Sequence, residues 1–324
     1  MLKKLKTFLL VTLVILITCS VYFNIHASNY PEKDVEIIVT FSAGGSTDTM
    51  MRVIAVELEK RLGKRFIIVN KPGAGGEIGW TAVYMAKADG YTICNMNVPS
   101  ILTKYITRPT CKFVLEDFTP IANIVTDPGV LTVSSNSPFK TLEEYISYAK
   151  ENPGALTCSH EGIWGDDYIA LKAIEREANV KLTEVQFDGD APARVALLGG
   201  HIASRCGNAS EAAPMVKAGK VRVLAVMSEE RLDSMPNVPT FLEEGYNIVS
   251  SSSRGIGAPK GIPEEARNVL INTLGEIVND PEFIQKMKEL KMNLNFIAGE
   301  DYYKFLKSME KNIIELYKKT LEVK

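Results

Sequence analysis

Gly-x-Ser-x-Gly is absent from the 324 residues, and with it the nucleophile elbow that an exported α/β hydrolase needs. Histidine is scarce. Of the three in the chain, only His160 and His201 lie beyond the N-terminal leader, and no motif ties either to a nucleophile. There is no Cys-x-x-Cys and no Cys/His spacing that would hold a metal, so no metal site is expected. Low-complexity tracts and repeats at solenoid spacing are also missing. The formal net charge is −2, and loss of the leader with its three lysines takes it to −5, which disfavours nucleic acid as a partner. What remains is a chain with 46% hydrophobic and 23% charged residues, enough to bury one or two substantial cores.

Residues 1–28 form a targeting segment. Lys3, Lys4 and Lys6 make a positive start, Phe8 to Ile17 an apolar run, and Ile25-His26-Ala27 a small-residue cleavage site. The run is short for a spanning helix and is followed by Asn24 and His26, so export is expected over a retained anchor. Leu16-Ile17-Thr18-Cys19 approximates a lipoprotein processing site, although Thr18 is bulkier than the usual Gly or Ala. Attachment through Cys19 therefore stands beside a cleaved soluble form. The remaining Cys94, Cys111, Cys158 and Cys206 would allow two disulfides in an exported protein. Cys94, Cys158 and Cys206 equally suit buried free thiols, because each sits in an apolar, strand-like run.

The chain is organised around residues 36–48. Ile37, Val39 and Phe41 alternate with Ile38 and Thr40, a buried-strand pattern that Ser42-Ala43-Gly44-Gly45 stops. Paired glycines permit φ > 0 and leave N–H groups uncovered. Ser46, Thr47 and Asp48 are helix N-cap and first-turn residues, and Met50, Ile54, Leu58 and Leu62 follow at helical spacing. A strand, a bare glycine turn and a helix start make an anion site, or simply a tight βα turn. The pattern recurs: Phe66 to Asn70 is a second strand, Lys71-Pro72-Gly73-Ala74-Gly75-Gly76 a second glycine turn, and Glu77 to Lys87 a second helix. Two such loops at successive strand ends point into one crevice. Neither is a P-loop or a G-x-G-x-x-G fingerprint, so a small anion is a better ligand than a nucleotide.

Tyr30-Pro31, Phe41-Ser42-Ala43-Gly44-Gly45-Ser46-Thr47-Asp48, Asn70 to Gly76 and Ala88-Asp89-Gly90-Tyr91-Thr92 closely resemble the Bug/TctC family, the extracytoplasmic solute-binding proteins of tripartite tricarboxylate transporters. Leu197-Leu198-Gly199-Gly200-His201-Ile202, Lys217 to Val226, Met235 to Phe241 and Arg254 to Pro263 extend the resemblance over essentially the whole mature chain. It implies a two-domain, type II periplasmic-binding α/β fold with two interdomain crossovers and a ligand cleft. The first domain would hold residues 29–126 and 252–324, the second 127–251. Ser42, Gly44, Gly45, Ser46, Thr47 and Asp48, with Ala74, Gly75 and Gly76, would hold a ligand carboxylate. The second domain would read the rest of the ligand, and Asn97 and Ser100 at the third strand's end are further polar contacts or a Pro-bounded turn.

Several segments depart from the family pattern. In Gly162-Ile163-Trp164-Gly165-Asp166-Asp167, Trp164 and Asp166 stand where Gly and Ser/Thr are usual. Asp166 is either an N-cap or a charge that repels a second carboxylate and receives an ammonium. Asp188 reverses a usually basic position, and with Asp166 favours an amino-acid-like or less anionic ligand over a tricarboxylate. Arg205 lies inside a strand-like run, as a carboxylate partner or on a solvent edge. Elsewhere, strands at 118–125 and 129–135 flank an Asp127-Pro128-Gly129 turn, Thr141-Leu-Glu-Glu144 is a capping box, and the chain after Pro263 is helical at 264–279, 281–290 and 301–321.

The reading is a monomeric solute-binding protein, not an enzyme and without cofactor, that captures a small di- or tricarboxylate or amino-acid-like carboxylate for membrane transporter subunits. The alternatives are a ligand sensor presenting its closed form to a membrane receptor and, further off, an enzyme with Asp166 and His160 as an acid/base pair.

Overall fold

The computed structural model describes residues 30–322, so the leader and Cys19 lie outside the described residues. The chain opens as expected. β1 (Val35–Val39) runs parallel between β2 (Phe66–Asn70) and β3 (Thr92–Val98). Between β1 and β2 lies α1 (Ser46–Leu62), whose Met50, Ile54 and Leu58 are fully buried against the sheet. Gly63, left-handed at φ 68°, ends it. The second helix, α2 (Glu77–Tyr84), is shorter than its apolar pattern suggested, and an unforeseen α3 (Ser100–Thr107) follows β3 at once.

Asp127-Pro128-Gly129 is not a turn. It is the middle of β4 (Phe118–Ser134), a single 17-residue strand. Up to Pro128, β4 pairs antiparallel with β9 (Ser251–Pro259), which pairs in turn with β3. From Gly129 onward the partners are β7 (Ser204–Asn208) on one side and β8 (Val221–Met227) on the other. Proline lacks a ladder donor, and here it falls where one set of partners hands over to the next. Gly129 also needs its missing side chain, since a Cβ would stand 2.9 Å from Met227 Sδ.

β4 therefore threads both sheets. The second is completed by the parallel strands β5 (Thr157–His160) and β6 (Thr183–Gln186). It is flanked by α4 (Leu142–Glu151), α5 (Asp166–Ala178), α6 (Asp190–Leu198) and α7 (Ala209–Lys217). Thr141 Oγ1 accepts from the Glu144 N–H, one half of the expected capping box, while the Glu144 carboxylate accepts from the Lys140 N–H instead of that of Thr141. The C-terminal part returns to the first sheet as α8 (Glu264–Val278), α9 (Pro281–Glu289) and α10 (Gly299–Glu322). It is not wholly helical, because β10 (Leu294–Ala298) pairs with the outer edge of β4 and Asn123 Nδ2 donates to the Asn295 carbonyl at 2.7 Å.

Separate apolar cores lie under the two sheets, one around Ile37, Ile54 and Leu270, the other around Leu131, Tyr145 and Ile174. The fold is thus the two-domain α/β architecture expected. All four described cysteines are free thiols, three of them buried, with Cys158 and Cys206 Sγ 3.7 Å apart. No helix among the described residues is long and apolar enough to cross a membrane.

Candidate functional site

The two glycine turns of the first sheet face α5, α6 and α7 of the second, and the two halves touch. Ser42 Oγ donates to the Asp188 carbonyl at 2.5 Å, Ser46 Oγ to Glu211 Oε1 at 2.6 Å, and Arg194 Nη2 to the Gly44 carbonyl at 3.0 Å. From α3, Lys104 Nζ donates to the Ile163 carbonyl at 3.2 Å. Gly75 (φ 63°) and Gly162 (φ 136°) meet so closely that a Cβ on Gly162 would lie 2.9 Å from Gly75 Cα.

Within the first loop the predicted residues divide by role. Asp48 is buried and faces its own loop: its carboxylate accepts from the Gly44 N–H, Arg52 Nε and Asn70 Nδ2, each at 2.9 Å. Thr47, on the first turn of α1, lines an enclosed cavity, and its Oγ1 accepts from Asn97 Nδ2 at 2.9 Å. Asn97 and Ser100 line it too. The cavity is about 10 Å³, about what one water molecule needs. Opposite Thr47 stand Gly165, Asp166 and Asp167, the N-terminus of α5, with Glu161 just before it.

Behind the cavity lies a buried ion network. Glu211 accepts from Arg205 Nη2, from the Asn208 N–H at 2.9 Å and from Ser46, and lies 3.3 Å from Arg254 Nη2. Arg254 also donates to Asp127 at 2.7 Å and to Asn208 Oδ1 at 2.6 Å. Arg205 Nη2 is 2.9 Å from Asp190 and 3.4 Å from Glu161. Burial alone would raise the Glu211 carboxyl, but Arg205, Arg254, Ser46 and the Asn208 N–H outweigh it and hold the pKa at about 2. Asp190 goes the other way, pushed up to about 6 by burial and by Glu211. Burial likewise lowers Lys104 to about 8. Oxygens of Glu161, Asp190 and Glu211 lie within 4.8 Å of one another, a spacing that suits a metal ion. The Arg205 guanidinium contacts all three, so the chain supplies its own cation there.

Other predicted residues land differently. Arg205 neither points to solvent nor stands free for a ligand, being fully buried among three carboxylates. Trp164 (φ 62°) sits half-buried at the rim, its ring 5.3 Å from Tyr317 of α10 and 5.9 Å from Tyr168. Asp188 is exposed, and only its backbone carbonyl reaches across the cleft. The buried acid in that segment is Asp190. His201 is exposed, whereas His160 is buried, its pKa lowered by burial and its Nδ1 accepting from the Gly162 N–H. Glu211, Arg254, Asp127, Asn208, Glu161, Asp167 and Lys104 were not anticipated as site residues. A signal existed for Arg254, since a charge inside a β-branched or glycine-rich strand is as unusual there as at Arg205.

Two α/β halves closed on a polar cavity, joined through shared strands, define a two-lobed solute-binding architecture. The profile of the "Tripartite tricarboxylate transporter family receptor" (TctC) matches residues 50–320, and the chain belongs to that family of solute-binding proteins. It is 32% identical over 292 residues to the "UPF0065 protein in gbd 5′ region" of Cupriavidus necator, covering 89% of each chain. Among solved structures it is similar to the periplasmic binding protein BugD, with a TM-score of 0.85, 30% identity, and coverage of 90% of this chain and 98% of that one. MatC from Rhodopseudomonas palustris, solved with bound malate, superimposes with a TM-score of 0.83 at 27% identity, covering 88% of this chain and 99% of that one.

Proposed function

We propose that this chain captures one small carboxylate in the cleft, by closure of residues 127–251 on residues 29–126 and 252–324, and presents it to membrane subunits of a tripartite transporter. The observation that carries the reading is the start of α1 with Thr47 opening onto a polar cavity between the lobes, where the positive helix end favours a carboxylate. MatC's bound malate supports the same ligand chemistry. Gly44, Gly45, Ser46 and Thr47 form one wall and Ala74, Gly75 and Gly76 a second, partly through water. Asp48 holds the first loop in shape, Arg205 fixes the acids behind the cavity, Asp166 faces the ligand, and Trp164 closes the rim. Ser42 and Asp188 latch the lobes together through a backbone carbonyl. The protein works outside the cytoplasm as a monomer, released from its leader or tethered through Cys19, with no catalytic step and no cofactor.

A thermal-shift screen of the chain lacking residues 1–28 tests this. Citrate, succinate, malate, aspartate, glutamate, aromatic carboxylates and neutral amides form the panel. A ligand at a hundred times its Kd stabilises by about 2.7 kcal/mol, roughly 5 °C for a chain of this size. A cooperative melt that no carboxylate moves overturns the proposal.

A further inference from the structure

We infer that the ligand carries a cationic nitrogen a few bonds from its carboxylate, and that Asp166, Asp167 and Glu161 receive that nitrogen. The inference rests on the carboxylate-binding reading above and narrows its ligand class.

Of the charged side chains lining the cavity, four are acids (Glu161, Asp166, Asp167 and Glu211) and one, Arg254, is a base. Arg254 and Glu211 are already matched within the chain, to each other and to Asp127, Asn208, Arg205 and Ser46. The other three acids are not. Asp166 accepts one bond, from Asn208 Nδ2 at 3.1 Å, and Glu161 has only the 3.4 Å contact to Arg205. Asp167 is 4% exposed and accepts no hydrogen bond among the described residues. A buried carboxylate without a donor is costly, and such a group at a binding cavity is matched when the ligand supplies the donor. Burial and then repulsion from neighbouring acids push the Asp167 and Glu161 carboxyls well above the ordinary range, and Arg205 only partly offsets this.

Local cations do not fill the need. Lys104 directs its ammonium to the Ile163 carbonyl, and Arg205 is shared among Glu211, Asp190 and Glu161. In the closed cleft the space left between the lobes is about one water molecule in size, so a ligand enters only as the lobes part; Thr47 at the α1 end and the acids at the α5 end both line it. A carboxylate at α1 and an ammonium at α5 would satisfy both walls. An ammonium would draw these acids into their charged form, whereas a second carboxylate would meet three acids that either stay protonated or repel it.

Isothermal titration of the leader-free protein with three ligands of one length tests the inference: 4-aminobutyrate, butyrate and glutarate. We expect 4-aminobutyrate to bind at least ~tenfold more tightly than either of the others. The isosteric Asp167→Asn variant should cut that preference by ~tenfold while leaving butyrate affinity unchanged; Asp233→Asn, on an exposed side chain outside the cavity lining, should change neither. Glutarate binding as tightly as 4-aminobutyrate overturns the cation site and leaves the carboxylate reading intact. Binding of none of the three, nor of any carboxylate in the thermal-shift panel, overturns the carboxylate reading and the inference with it. An unchanged preference in Asp167→Asn overturns the assignment of that residue.

Discussion

Glu211→Gln is the most informative single substitution for the ion network. The side chain keeps its shape and loses its charge between Arg205 and Arg254, and its new amide group must face either a guanidinium or the Ser46 hydroxyl. Removing one partner of a buried ion pair costs about 3–5 kcal/mol. The lower end applies, because Arg254 keeps Asp127 at 2.7 Å and Arg205 keeps Asp190 at 2.9 Å. The pKa gives a second route to the magnitude. Glu211 titrates at about 2 when folded against 4.5 when free, and at about 1.4 kcal/mol per pH unit this is about 3 kcal/mol. Both routes predict a melting temperature lower by roughly 6 °C at pH 7. Because the folded pKa is depressed, the charge stabilises fully above pH 4.5, and that stability is lost as pH falls towards 2. Calorimetric melts of wild type and variant should therefore differ by a constant amount at neutral pH and converge below about pH 4.5. Equal melting temperatures at pH 7, or a difference undiminished in acid, would refute the reasoning.

Three further outcomes follow from the same contacts. Asp190→Asn loses the Arg205 and Arg194 contacts but should gain stability relative to wild type as pH rises from 4 to 7. The folded pKa of about 6 lies above the free value of 3.8, so ionisation costs wild type up to about 3 kcal/mol at neutral pH and little near pH 4; urea midpoints of both proteins at the two pH values measure it, and a variant that gains nothing on wild type between them would contradict it. Gly162→Ala should weaken ligand binding by about tenfold or more, since its Cβ meets Gly75 Cα at 2.9 Å in the closed cleft and φ is +136°; unchanged affinity by titration would show that the turns need not approach so closely. Of the two tryptophans, Trp80 is fully buried and Trp164 sits on Tyr317 across the cleft, so ligand-induced changes in emission should vanish in Trp164→Phe and persist in wild type.

The first sheet was legible because its local signals agree. Alternating β-branched strands, glycine turns and a helical stripe at Met50, Ile54 and Leu58 lead to the same β-α-β arrangement. Asp127-Pro128-Gly129 misled because turn-forming residues also suit a strand that changes partners, and nothing local distinguishes the two. β10 was missed for a related reason: Leu294, Phe296 and Ala298 alternate with asparagines over only five residues, too short to stand out between two strong helical patterns. In the site, the glycine loops were legible and the ion network was not. Glu211 lies on a helix and looks like any first-turn acid, and only tertiary folding brings it against Arg205, Arg254 and Ser46. Asp188 drew attention by its departure from a family pattern, whereas burial falls on Asp190, two residues later, where the helix turns inward.

A crystal structure of the leader-free protein with the ligand that stabilises it best is the most direct measurement. The account predicts one ligand molecule enclosed between the lobes, with its carboxylate against the Thr47 end of α1 and the Gly75 turn, and the remainder against Asp166 and Asp167. A ligand bound outside the cleft, or one whose carboxylate contacts neither glycine loop, would contradict it.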